Sequence, residues 1–174
     1  GNVGDTRGQD GTLTHVGLGT TGADTALSGG SEWDVLIGFD GDDTISGGDG
    51  EDRINGGAGA DDLAGGPGND MFFSGPGADT IDGGAGTDDL NYGQSPAGVE
   101  VDFSADPAAG AGAASGGHAE GDTFRDIVSV NGTAFDDTMI GDSGRQLFDG
   151  AFGGDDTLIG GGGDDRLSGK PGND

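Results

Sequence analysis

The 174-residue sequence contains no cysteine, one tryptophan, one tyrosine, and six basic residues against 33 acidic ones. The absence of cysteine excludes disulfide bonds, thiolate metal sites and cysteine nucleophiles. A formal net charge of −27 would repel nucleic-acid phosphates and anionic lipids, so neither is an expected partner. No apolar run approaches the roughly 18 residues of a transmembrane helix, so we expect no membrane span. With 30% hydrophobic residues, a conventional core would be thin for this length.

Glycine and aspartate are the residues present in excess. The chain has 44 glycines, and 29 of its acidic residues are aspartate against four glutamates. So much glycine excludes a helical protein. Acidic disordered segments are usually rich in Glu, Lys, Ser and Pro, whereas glycine together with aspartate indicates turns and ligands for hard cations.

A nine-residue repeat runs from Gly29 to Asn91 in seven units, beginning GGSEWDVLI and GFDGDDTIS. Positions one, two and four are mostly glycine, position six is always aspartate and position eight is always apolar. A second run begins at Gly132, contains one extra residue at Gly150 and stops within a unit at Asp174. That stop predicts further repeats in a longer parent protein.

The unit has a simple physical interpretation. Its glycine-rich half permits positive φ and a tight turn, and its second half fits a three-residue strand with one inward side chain. Such units must stack to bury a continuous core. Two units then make an 18-residue coil of a parallel solenoid, with each aspartate above the one two units away. Carboxylates stacked at about 4.8 Å repel one another, which predicts a cation between layers; calcium accepts both carboxylate and carbonyl oxygens.

The units resemble the GGxGxDxUx nonapeptide of the RTX calcium-binding family, over residues 29–91 and 132–174. The resemblance implies an all-β fold, a parallel β-roll or right-handed β-solenoid with 18-residue coils and calcium held in the turns. It also implies a bacterial protein exported by type I secretion, so we expect the secretion apparatus as a partner and an extracellular or cell-surface location.

The family pattern, carried over position by position, predicts calcium ligation by aspartate carboxylates and glycine carbonyls. Phe39 and Glu32 replace glycines in the first turns and are expected to weaken them, and Gln146 stands in place of an aspartate, which predicts a weak or empty site. Pairing alternate units gives about seven calcium ions, and these would change the net charge from −27 to −13. The predicted ligands are Asp34, Asp43, Gly48, Gly50, Asp52, Gly57, Gly59, Asp61, Gly66, Gly68, Asp70, Gly75, Gly77, Asp79, Gly84, Gly86, Asp88, Asp137, Asp156, Gly161, Gly163, Asp165 and Asp174.

Two segments lie outside the regular repeat. Residues 1–28 are predicted to form a degenerate coil or cap, since Thr25 occupies the aspartate position and Asp24 lies one residue early. Residues 92–131 predict a calcium-poor segment of two strands joined by a mobile Ala/Gly loop. Together with the repeat blocks 29–91 and 132–174, they are expected to form one elongated domain.

Other functions fit the sequence less well. A solvated, disordered acidic face would not place an aspartate and an apolar residue two apart in every unit. An EF-hand built on Asp40, Asp42 and Asp43 would need Glu51 as its bidentate ligand, and Glu51 instead follows the nonapeptide register. Nucleotide binding would need a long strand and a helix around the glycines. The two histidines, His15 and His118, have no serine or carboxylate framework around them, so no catalytic residue is predicted.

The leading hypothesis is therefore a calcium-dependent folding module of a secreted bacterial protein, without catalytic activity of its own. Two alternatives stay open. The module is an accessory part of a secreted enzyme of the protease, lipase or mannuronan epimerase type, or a spacer or contact region of a repeat adhesin or surface-layer protein. The unit cut open at Asp174 would expose a strand edge, which makes end-to-end self-association a further expectation.

Overall fold

The computed structural model describes residues 5–7, 13–106 and 111–174, which form two nine-stranded sheets and one short 3₁₀ helix (Gly117–Ala119). Strands are numbered along the chain. Sheet A has the order β1 (Asp5–Arg7), β2 (Leu13–Leu18), β4 (Asp34–Asp40), β6 (Arg53–Ala58), β8 (Met71–Phe73), β10 (Asp89–Asn91), β14 (Ser129–Asn131), β16 (Leu147–Asp149) and β18 (Arg166–Ser168). Sheet B has the order β17 (Thr157–Ile159), β15 (Thr138–Ile140), β11 (Glu100–Asp106), β12 (Ala111–Ser115), β13 (Thr123–Arg125), β9 (Thr80–Ala85), β7 (Asp62–Pro67), β5 (Thr44–Ser46) and β3 (Leu27–Ser28).

Alternation between the two sheets makes a solenoid. Each repeat unit contributes one strand, alternately to sheet A and to sheet B. Strands 18 residues apart therefore pair in parallel; in sheet A, Ile54 lies in register between Leu36 and Phe72. The result is a parallel β-solenoid of about eight turns with coils of about 18 residues, which confirms the predicted fold class. The described residues include no helix with the length and hydrophobicity of a transmembrane span.

The core between the two sheets is built mainly from eighth-position side chains. Leu36, Ile54, Leu63, Phe72 and Leu90 are all fully buried there. Each strand contributes one such residue because neighbouring side chains along a strand point to opposite faces. Full burial of one large aliphatic side chain stabilises by about 1.5–3 kcal/mol, so the core grows by one modest increment per unit.

The segment between the repeat runs widens sheet B. Strand β13 pairs in parallel with β9, and β11 pairs in parallel with β15. Strand β12 lies between β11 and β13 and is antiparallel to both. In sheet A, by contrast, β10, β14 and β16 follow one another in parallel, and Val130 keeps the core register. The inserted hairpin therefore adds strands to sheet B while the stack in sheet A continues.

The prediction of a mobile Ala/Gly loop was wrong for Ala111–Ser115, which form β12. Aromatic packing explains the small side chains: a Cβ atom at Gly112 would overlap the Phe124 ring. Phe124 in turn meets Phe103 edge-on at 4.8 Å between ring centroids, and Phe103 lies 5.4 Å from Phe148. The Ala/Gly composition here makes room for large neighbours. Residues 107–110 of the same stretch lie outside the described residues.

Candidate metal sites

The repeat aspartates stack along the turns in two columns, one at the entry to each sheet. In both, the backbone N–H of an aspartate donates a hydrogen bond to Oδ1 of the aspartate in the next coil, as from Asp52 to Asp70 (2.8 Å) and from Asp61 to Asp79 (2.8 Å). The same bond joins Asp34 to Asp52, Asp43 to Asp61, Asp70 to Asp88, Asp137 to Asp156, and Asp156 to Asp174. One carboxylate oxygen of each acceptor is thus committed to the backbone.

The other carboxylate oxygen is the distinctive feature of these turns. In seven aspartates of the described ranges the Oδ2 atom is buried and has no hydrogen-bond partner. Those aspartates are Asp43, Asp52, Asp61, Asp70, Asp79, Asp88 and Asp156. Buried polar side-chain atoms are nearly always hydrogen-bonded in folded proteins, and a buried charged group without compensation is costly. The repetition of one unpartnered atom in seven turns therefore indicates a ligand that these oxygens share.

First-position glycines bring that oxygen next to a main-chain carbonyl. A Cβ atom at Gly56 would collide with Asp61 Oδ2 and lie 2.8 Å from the carbonyl oxygen of Ser74 in the next coil. Gly47 stands in the same relation to Asp52 and Gly65. Each such turn therefore places a carboxylate oxygen and a carbonyl oxygen around a space that any side chain at position one would fill.

Glycines at positions two and four carry the tight part of the turn. Gly57 and Gly59 have φ of 106° and 143°, and Cβ atoms there would overlap carbonyl oxygens of the preceding coil. All the glycines predicted to offer carbonyls have positive φ, namely Gly48, Gly50, Gly57, Gly59, Gly66, Gly68, Gly75, Gly77, Gly84, Gly86, Gly161 and Gly163. Phe39 adopts the glycine conformation with φ 82°, so this substitution preserves the turn backbone.

Burial raises the pKa of several of these carboxyl groups. The pKa is about 6 for Asp52 and Asp70 and about 7 for Asp79, against an ordinary value of 3.8. Desolvation is the largest cause, repulsion by neighbouring carboxylates adds to it, and the backbone hydrogen bond opposes it. The pKa values of Asp61 and Asp88 are raised for the same leading reason. Protein groups alone therefore leave the ionised columns under-compensated, which is the condition that a bound cation relieves.

The donor set favours calcium. Within the described ranges, no three His, Cys, Asp or Glu side chains lie close enough together to hold a metal by themselves. Any ion here would need main-chain carbonyls beside one or two carboxylates. Calcium accepts six to eight such oxygens in flexible geometry, whereas zinc prefers nitrogen and sulfur ligands and magnesium requires a near-ideal octahedron. The residues present therefore fit calcium.

Four predicted ligands differ from the regular pattern. Asp34 Oδ2 accepts a hydrogen bond from Gly30 N–H (2.6 Å). Both oxygens of Asp137 are engaged by Thr133, through its N–H (2.7 Å) and its hydroxyl (2.9 Å). Asp165 and Asp174, in the last coils, are less buried than the others but accept the expected backbone N–H bonds from Gln146 and Asp156. Calcium ligation by these residues, as by all the other predicted ligands, stays a prediction.

Two aspartates in the columns were missed by the sequence analysis. Asp24 donates its N–H to Asp43 Oδ1 (2.6 Å), and its carbonyl accepts from Thr44 N–H (2.7 Å), as a repeat aspartate does. One extra residue before Leu27 hid this register. Asp122 accepts the N–H of Asp79 (2.9 Å), and its spacing of two from Phe124 was the available indication.

Asp122 nevertheless differs from the other column aspartates in its second oxygen. Asp122 Oδ2 accepts hydrogen bonds from the Tyr92 hydroxyl (2.9 Å) and from the Ser74 hydroxyl (3.1 Å). Tyr92 occupies a first position, where most other units have glycine, and is 2% exposed. At this turn, protein hydroxyls therefore donate hydrogen bonds to the Oδ2 atom, which has no partner in the seven aspartates named above.

Comparison with known families agrees with this geometry. The family described as the RTX calcium-binding nonapeptide repeat matches in four copies, over residues 28–63, 37–72, 64–94 and 153–174. Together these cover 89 of the 174 residues. No curated protein matches the chain significantly.

Proposed function

Because the chain belongs to the RTX calcium-binding nonapeptide repeat family, we propose that it is a module that folds when it binds extracellular calcium. The observation that carries the proposal is the row of seven buried aspartate oxygens without a protein partner. A chain that must bury these charges is poorly stable without a cation and gains stability with one. In this role the module supports the secretion and stability of a larger bacterial protein.

Carboxylate repulsion and calcium binding together set the size of the calcium-dependent change in folding stability. Neighbouring carboxylates in a column, about 4.8 Å apart, repel by about 3 kcal/mol per pair at an effective dielectric constant near 20. Calcium at 1 mM, with a dissociation constant near 10⁻⁴ M, stabilises the folded state by about 1.4 kcal/mol per site. About seven ions would then supply about 10 kcal/mol, comparable with the whole stability of a domain.

Calcium concentration would then decide where the module folds. At the low calcium level of the cytosol the chain, with a net charge of −27, stays unfolded, as passage through a type I secretion channel requires. At millimolar calcium outside the cell the turns close and the solenoid forms. The type I apparatus and the extracellular location are carried over from the family.

A calcium titration followed by far-UV circular dichroism tests the proposal. We expect a cooperative gain of β-structure between sub-millimolar and millimolar calcium, and no comparable gain with magnesium, which does not adapt to these irregular oxygen sites. Equilibrium dialysis with elemental analysis should find about seven ions per chain. The same β-signal in chelator and in calcium would refute calcium-dependent folding. A folded chain that retains no calcium in the dialysis experiment would refute the metal sites.

A further inference from the structure

We infer that the turn containing Gln146 is a further calcium site, in which a side-chain amide oxygen replaces the aspartate carboxylate. The inference rests on the proposed calcium binding of the other turns. This unit, residues 141–149, lies outside all four segments that match the repeat family, and its neutral side chain predicts a weak or empty site. Gln146 is 4% exposed, however, and its Oε1 atom is buried without a hydrogen-bond partner.

The amide oxygen occupies the place that a carboxylate oxygen has in the regular turns. A Cβ atom at Gly141 would lie 2.7 Å from Gln146 Oε1 and would overlap the carbonyl oxygen of Gly160 in the next coil. Gly56, at position one of the unit that contains Asp61, has the same pair of neighbours: a side-chain oxygen of its own unit and a carbonyl oxygen of the next coil. Gln146 N–H also donates to Asp165 Oδ1 (2.9 Å), which continues the column.

A second substitution in the same unit orients the amide. Asp142 stands at position two, where glycine is usual, and its Oδ1 atom accepts a hydrogen bond from Gln146 Nε2 (2.6 Å). Gly144 N–H donates to the same oxygen (2.7 Å) and fixes its position. Because Nε2 is held by Asp142, Oε1 must face the turn. Calcium accepts amide oxygens as well as carboxylates.

The two substitutions also conserve charge within the unit. The negative charge lost at position six reappears at position two, in hydrogen-bond contact with the replacing side chain. Asp142 thus polarises the amide and lowers the cost of placing a divalent ion beside a neutral ligand. The site formed is weaker than a carboxylate site, but it has the same oxygen geometry.

The test counts bound calcium in the full chain by equilibrium dialysis at 10 mM free calcium. Gln146→Met keeps the side-chain length and removes Oε1, and we expect one ion fewer per chain than in the unchanged protein. Gln94→Met makes the same chemical change at an exposed residue and should leave the count unaltered. Gln146→Asp should keep the count and saturate at lower calcium. An equal count in Gln146→Met and the unchanged protein would overturn the inference.

A milder variant covers the case in which Gln146→Met does not fold in calcium. Asp142 is exposed, and Asp142→Asn keeps an acceptor for Gln146 Nε2 and removes only the charge. We expect the calcium affinity of one site to fall about tenfold, as loss of one unit charge close to a divalent ion implies in a water-like dielectric. Unchanged affinity would count against the site. Absence of calcium from the unchanged protein would refute the proposed function itself, which keeps the two failures distinguishable.

Discussion

Asp61→Asn is the substitution that most directly separates metal ligation from simple charge. Asp61 is 2% exposed, its Oδ1 accepts the N–H of Asp43 (2.9 Å) and its Oδ2 has no partner. Asparagine keeps an oxygen for the N–H bond and removes the ionised carboxylate. Because a column aspartate lies between two layers, the substitution weakens up to two ions.

The expected loss depends on calcium. At 1 mM calcium, about 1.4 kcal/mol per ion gives a destabilisation of up to about 3 kcal/mol, or a fall of about 6–12 °C in Tm for a domain of this size. In chelator we do not expect Asp61→Asn to destabilise the fold. Burial and neighbouring carboxylates raise the pKa of Asp61, so its ionised form is unfavourable there and its neutral replacement should not destabilise the fold.

Urea denaturation followed by circular dichroism at 1 mM calcium measures the first effect, and an acid titration of the β-signal in chelator measures the second. Asp62→Asn is the matched control, because it makes the same change of charge at the adjacent, exposed residue on the outer face of sheet B. Equal shifts of the calcium-dependent stability in the two variants would refute ligation by Asp61, since charge alone would then explain the result. Equal destabilisation by Asp61→Asn with and without calcium would refute it as well.

Three further outcomes follow from the same contacts. Burial raises the pKa of Asp79 to about 7, so protonation stabilises the calcium-free fold, and chelated protein should gain β-signal as the pH falls from 7 to 4 in an acid titration. Phe72→Ala removes a fully buried ring and should cost about 3–5 kcal/mol in urea titrations even at saturating calcium, whereas Phe152→Ala, 77% exposed, should change stability by less than about 0.5 kcal/mol. Tyr92→Phe deprives Asp122 of a hydrogen bond and should cost about 1–3 kcal/mol in urea titrations at 1 mM calcium and equally at 10 mM calcium; a loss that the higher calcium concentration abolishes would contradict this.

The regular coils could be predicted from sequence because one rule fixes both local and long-range structure. Because the apolar residue is at position eight of every nine-residue unit, the repeat alone places Ile54 between Leu36 and Phe72. Turn chemistry agrees with that register, since glycine is required wherever backbone approaches backbone with positive φ, as at Gly57. Local and global preferences coincide here, so the sequence pattern is sufficient.

The inserted segment could not be predicted in this way because its pairing is not periodic. Strand β12 depends on the fit of Gly112 beneath Phe124, a contact between residues whose spacing follows no repeat. A single inserted residue likewise concealed Asp24, although its hydrogen bonds are those of a repeat aspartate. Departures from the period carry no pattern of their own, so their structure is decided by packing.

Position in the repeat is therefore a weaker criterion for a metal ligand than the state of the second oxygen. Asp79 and Asp122 are neighbours in one column, joined by a 2.9 Å hydrogen bond, yet only Asp79 has a buried Oδ2 atom without a partner. The difference comes from Tyr92 and Ser74, whose hydroxyls donate hydrogen bonds to Asp122 Oδ2, although burial still raises the pKa of Asp122 to about 6. We therefore expect the turn at Asp122 to bind calcium less readily than the neighbouring turn at Asp79.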